Sequence, residues 1–93
     1  QLAPQDPLSW LLSATLARRM GDLALAKADI TKAAKLAGGD PAVALEAGNI
    51  AYAAGDTAGA KKFWQQAVQF DAASAPAEAA STYLARLAGD DED

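Results

Sequence analysis

The chain contains no cysteine and no histidine. Without cysteine there is no disulfide or thiolate chemistry, and the redox compartment is left open. Without histidine the usual general base and the commonest metal ligand are missing. No spacing of the remaining acids suggests a metal site, and no cofactor is expected. Gly38-Gly39 lacks the following Lys-Ser or Lys-Thr of a phosphate loop. Ser9, Ser13 and Thr15 have no base near them, so no catalytic set is found and the chain is not expected to be an enzyme. Basic excess is also missing. The net charge is −4, and Asp90, Asp91, Glu92 and Asp93 supply four of the twelve acids. Nucleic acid is therefore not an expected partner. No apolar run approaches the roughly 18 residues of a membrane span, so direct membrane insertion is not expected. The chain starts at Gln1 rather than Met, as a processed chain or an excised segment would, so the lack of a secretory signal leaves its location open.

What the chain has is alanine, at 26 of 93 positions, and a period. Alanine favours helix and lets helices approach closely. Gly-Asp occurs at 21–22, 55–56 and 89–90, and Asp-Pro at 6–7 and 40–41, each time 34 residues apart. A fixed period of that length marks a repeat array. Asp-Pro reads as a helix start, with Asp at the N-cap and Pro where its missing N–H is harmless. Gly-Asp reads as a stop followed by a start, and a turn that short holds two helices antiparallel. The expected helices are Pro7 to Met20, Asp22 to Ala37, Pro41 to Ala54, Asp56 to Phe70 and Ala75 to Ala88. Trp10, Leu12, Leu16 and Met20 supply the apolar residues of the first, and Leu23, Ala26, Ile30, Ala33 and Leu36 one face of the second. Lys27, Lys32 and Lys35 lie mostly off that face.

Shifting the sequence by one period keeps size classes in step. Ala17 falls on Ala51 and Ala85, Leu16 on Ile50 and Leu84, Ala26 on Ala60, Ile30 on Trp64, Ala33 on Ala67, and Leu36 on Phe70. With Trp10, Ala14, Gly48 and the Gly-Asp turns, these residues give a pattern that resembles the tetratricopeptide repeat family, in its bacterial form. The family's early aromatic becomes Ala44 and Glu78 in later repeats, and its mid-helix tyrosine becomes Ala17 and Ala51. The resemblance implies an all-α fold, a right-handed α–α superhelix of five antiparallel helices making about two and a half repeats. Its expected parts are an extension over 1–6, repeats over 7–40 and 41–74, a third-repeat or capping helix over 75–88, and an acidic, solvated tail over 89–93. It implies a scaffold that binds proteins, in a bacterial cytoplasm or periplasm, or behind a membrane anchor in a longer protein.

The resemblance also implies a concave groove lined by the first helix of each repeat. The expected lining is Leu11, Leu45 and Ala79, then Thr15, Asn49 and Tyr83, then Arg18, Tyr52 and Arg86. Such a surface suits a peptide or helix of a partner. Asn49 offers both donor and acceptor, the tyrosines offer area with a polar tip, and the arginines can fork onto a carboxylate. The competing reading is packing: Tyr and Arg stack on each other, and Leu11 and Leu45 can cover a neighbouring segment. One subclass clamps acidic C-termini with Lys, Asn and Arg; its positions here are Leu11, Thr15, Glu46, Pro76 and Ala80, which disfavours that ligand. Phe63 and Trp64 are expected in the core, and Lys61 and Lys62 with Lys27 on a solvated edge. Two alternatives to a groove binder stand beside it. One is self-association, a homodimer through an open apolar end near Leu8 and Leu12 or at the fifth helix. The other is an accessory segment of a larger assembly factor.

Overall fold

The computed structural model describes the backbone of residues 5–91 and the side chains of residues 5–89. It is all-α: α1 Pro7–Arg19, α2 Leu23–Leu36, α3 Pro41–Ala53, α4 Thr57–Phe70 and α5 Ala75–Asp91. No strand occurs among the described residues, and none of the helices is long and apolar enough to cross a membrane. The first four helices start where their caps dictate. Asp6 accepts from the Leu8 amide, Asp22 from Leu25, Asp40 from Ala42 and Asp56 from Gly59, each satisfying an amide that has no partner inside its helix.

The two Gly-Asp turns are alike atom for atom. Gly21 and Gly55 have φ of 84° and 86°, a backbone region that side chains with a Cβ avoid. The Asp22 amide reaches the Ala17 carbonyl at 2.9 Å, and the Asp56 amide reaches that of Ala51 at 2.9 Å. These are the six-to-one bonds of a Schellman stop. Each turn returns the chain on itself, so α1 packs on α2 and α3 on α4. The third Gly-Asp differs. Gly89 stays helical and α5 runs on to Asp91, three residues past its expected end. Gly89 lacks the positive φ of Gly21 and Gly55, so the left-handed stop is not made there and the helix continues. The expected acidic tail is thus partly helix in its backbone, and Glu92 and Asp93 lie outside the described residues. So do residues 1–4 of the expected extension.

α3 is the central element and touches all four other helices. It is apolar on several sides, as a buried helix must be. Val43 and Ile50 join Ala14, Ala17, Ala26, Ile30 and Ala33 in one core cluster. Ala44 joins Ala60, Trp64, Ala67, Ala80 and Leu87 in the other. The body measures 46 × 29 × 16 Å, so it is thin, and no large side chain is wholly shut off from solvent among the described residues. Among the described residues, nine of the fourteen buried apolar side chains are alanines. The helices therefore meet nearly backbone to backbone, and that proximity substitutes for bulk.

The apolar reading of α1 is corrected. Leu12, Leu16 and Met20 are exposed, and the inward side of the helix is Ala14 and Ala17 with half-buried Trp10 and Leu11. On α2, Ala26, Ile30 and Ala33 are buried as expected, Leu23 is half-buried, and Leu36 is mostly outside the core. Asp29, unforeseen, is buried there and accepts the Ser13 hydroxyl at 2.6 Å. One-period equivalence preserves size but not burial: Leu16 is exposed, Ile50 buried and Leu84 half-buried, because only the second has helices on both sides.

Candidate functional site

The site grows from a size exchange between equivalent positions. In the first helix pair, Ala14 on α1 and Ile30 on α2 share one core cluster. One period later the same positions carry Gly48 on α3 and Trp64 on α4. A Cβ placed on Gly48 would fall 2.3 Å from Trp64 Cδ1 and 2.3 Å from its Nε1. The indole therefore lies flat on the bare α3 backbone, in space that only glycine leaves. Trp64 is buried, and its Nε1 donates to Asn49 Oδ1 at 3.3 Å. Tyr52 and Tyr83 close on it from either side, with ring centroids 5.8 Å and 5.2 Å away and tilted planes. Tilted aromatic contacts of this kind are favourable beyond the area they bury.

Above this aromatic floor is an open cavity of about 400 Å³. Arg18, Asn49, Tyr52, Ala53, Trp64, Tyr83, Arg86 and Leu87 line it, drawn from α1, α3, α4 and α5. Five of the nine expected groove residues are thus gathered at one place: Arg18, Asn49, Tyr52, Tyr83 and Arg86. The other four are elsewhere, Ala79 half-buried on α5. Leu11 packs against the first core cluster and Leu45 against the second. Thr15 is bound by its hydroxyl to Glu46 Oε1 at 2.9 Å. Trp64 and Leu87 were not foreseen as lining. Trp64 was read as core, which it is, but it is also the floor of the cavity. Gly48, one turn before Tyr52 and in the place of Ala14, was the available signal. Phe63, expected in the core, is half-buried.

The polar groups of the cavity are unbalanced. Glu46 on α3 is buried, and its carboxylate is fully engaged. Arg18 approaches side-on, with Nε to Oε2 at 2.5 Å and Nη2 to Oε1 at 3.3 Å, beside the Thr15 hydroxyl. A buried carboxylate held this way orients the guanidinium and cancels its charge. Arg86 is exposed and has no acidic partner among the described residues. Asn49 spends its carbonyl on Trp64, which turns its NH2 group, two donors, away from the indole. That group has no partner among the described residues. The cavity thus presents N–H donors from Asn49, Arg86 and the far side of Arg18, and one net positive charge. Its acceptors are the two tyrosine hydroxyls. An acceptor-rich anion beside an apolar group complements such a surface. Among the described residues no three acids assemble that could hold a metal ion.

No family model matches the chain, and neither a curated protein nor a solved structure is significantly similar to it.

Proposed function

We propose that the chain is a non-catalytic protein-interaction module of tetratricopeptide type, in which the cavity between α1, α3, α4 and α5 takes a short segment of a partner protein. The two helix pairs with matching turns, 34 residues apart, support the repeat reading, and α5 stands as the first helix of a third repeat or as a cap. The observation that carries the functional reading is the cavity itself, about 400 Å³ walled by Tyr52, Tyr83 and Trp64 and edged by Arg86. Its volume lies within the several-hundred-Å³ range of ligand sites, and Tyr, Trp and Arg are the side chains that dominate protein recognition. The aromatic wall takes an apolar side chain of the segment. Arg86 and the Asn49 amide take a carboxylate next to it, from an Asp or Glu within the segment.

The test is selection from a displayed random-peptide library against the 93-residue chain, followed by titration of the selected peptides. Selected peptides should carry an acidic group beside a large apolar residue. Arg86→Ala and Tyr52→Ala should each weaken binding roughly tenfold or more, the loss of one charge-assisted hydrogen bond or one aromatic contact. Arg86→Ala should leave the melting temperature unchanged, whereas Tyr52→Ala also gives up its contact with Trp64 and should melt lower with its helicity intact. Peptides that bind both variants as tightly as the parent would place the site elsewhere.

A further inference from the structure

Half of the eight exposed large apolar side chains among the described residues lie together, away from the cavity. Leu8, Leu12, Leu16 and Met20 stand four residues apart and form a single row along α1 and its C-cap. They are 58%, 61%, 60% and 75% exposed. Four-residue spacing stacks side chains into one ridge, and this ridge is on the opposite side of α1 from buried Ala14. Together the four expose on the order of 500 Å² of surface, in the upper part of the range for the largest apolar patch of a monomer. The repeat says what such a row is for. One period on, the same row is Ala42, Glu46, Ile50 and Ala54. There the three positions within α3 are half-buried or buried, Glu46 by bonding to α1 and Ile50 by packing in the cluster of α1 and α2, and the C-cap Ala54 is exposed. The α1 row is the same helix-accepting face without its helix.

We propose that a second copy of this chain covers it, with the two α1 helices pairing antiparallel about a two-fold axis. The ridge is its own complement under that operation. Leu12 of one copy meets Leu16 of the other, and Leu8 meets Met20. An isologous contact requires this self-matching. Charge agrees. The only charged side chains at α1 are the N-cap Asp6 and, in the last turn, Arg18 and Arg19. Arg18 is taken by Glu46, whereas Arg19 is exposed and has no acidic partner among the described residues. Antiparallel pairing opposes the helix dipoles and brings Arg19 of each copy toward Asp6 of the other. Residues 1–37 hold five basic and three acidic side chains, and residues 38–93 hold three and nine. Joining the copies through α1 therefore keeps the two acidic halves apart. The opposite end of the molecule does not match the ridge. On α5 the exposed positions among the described residues are Ala75, Glu78, Ser81, Thr82, Ala85, Arg86, Ala88 and Gly89, all small, polar or charged, which disfavours head-to-tail stacking. The two ridges together remove about 1,000 Å², the least that a specific interface needs.

The 93-residue chain is measured by light scattering on a sizing column at low and high concentration. The expected mass rises toward twice the 9.5 kDa of one chain. Leu12→Lys and Leu16→Lys should each remain monomeric with unchanged far-UV circular dichroism, while Thr82→Lys on α5 should still dimerise. The chain has no cysteine of its own, so Leu12→Cys/Leu16→Cys gives a second readout, and oxidation should yield a covalent dimer. A parent that is monomeric at every concentration overturns the proposal. So does a dimer that survives Leu12→Lys with helicity intact, or a cysteine pair that yields no covalent dimer.

Discussion

Gly48→Ala sets two effects of opposite sign against each other. Gly48 is in the interior of α3, where Ala is favoured over Gly by about 0.8–1 kcal/mol. Taken alone, that term stabilises the variant. Against it, the new methyl would lie 2.3 Å from two atoms of Trp64 and 3.0 Å from a third, well inside van der Waals contact. The obstacle is a rigid indole rather than the end of a flexible chain. It has little room to yield, because Tyr52 and Tyr83 flank it and Asn49 holds its N–H. Displacing the ring strains a well-packed core, at about 1–3 kcal/mol. It also endangers the Asn49 bond, about 1 kcal/mol. The sum favours destabilisation by about 1–3 kcal/mol, and for a chain of this size each kcal/mol lowers Tm by about 4–8 °C. Thermal unfolding followed by circular dichroism measures this directly. The emission of Trp64, isolated by Trp10→Phe, should shift with it. A Gly48→Ala variant that melts at or above the parent would mean that propensity wins, that Trp64 is not seated on the α3 backbone, and that the cavity floor described here is wrong.

Two further outcomes follow from the same geometry. Gly55→Ala meets no neighbouring atom but would hold φ at +86°, so it should lose about 1 kcal/mol. Gly39→Ala, in equally open space without a positive φ, should be neutral or gain up to about 1 kcal/mol, and denaturant titration of the pair separates backbone strain from crowding. Arg18→Met leaves the Glu46 carboxylate buried with the Thr15 hydroxyl as its remaining partner. Discounted for an arginine side chain that is 26% exposed, the loss should be about 2 kcal/mol, and Arg18→Met/Glu46→Leu should recover most of it in the same titration.

Local features were legible in the sequence because their causes are local. Asp-Pro and Gly-Asp declare caps and turns through their own hydrogen-bonding and steric properties, and four of the five helices begin at those signals. The period carried that reading across the chain. Burial was less legible, because it depends on what lies across from a residue. Leu16 and Ile50 look equivalent, but one faces solvent and the other lies between helix pairs. The Gly-Asp at 89–90 is the same dipeptide as the other two, yet it stays helical. In the site, the resemblance to repeat proteins pointed to Arg18, Asn49, Tyr52, Tyr83 and Arg86 as lining one groove, and the structure gathers them at one cavity. Spacing did not disclose that Glu46 sequesters Arg18, nor that Trp64 of the second helix in its pair reaches through to the groove. That reach needs the missing Cβ of Gly48, a relation between two helices that neither shows alone.

The central claim is that the cavity over Trp64 binds an acidic segment of a partner. It is tested most directly by titrating a library-selected peptide into the Trp10→Phe chain while following Trp64 emission. The account predicts a saturable change in emission with the same midpoint as binding measured by calorimetry, and a midpoint raised roughly tenfold by Arg86→Ala. Calorimetric binding with no change in Trp64 emission, and with the same affinity in Arg86→Ala, would contradict it.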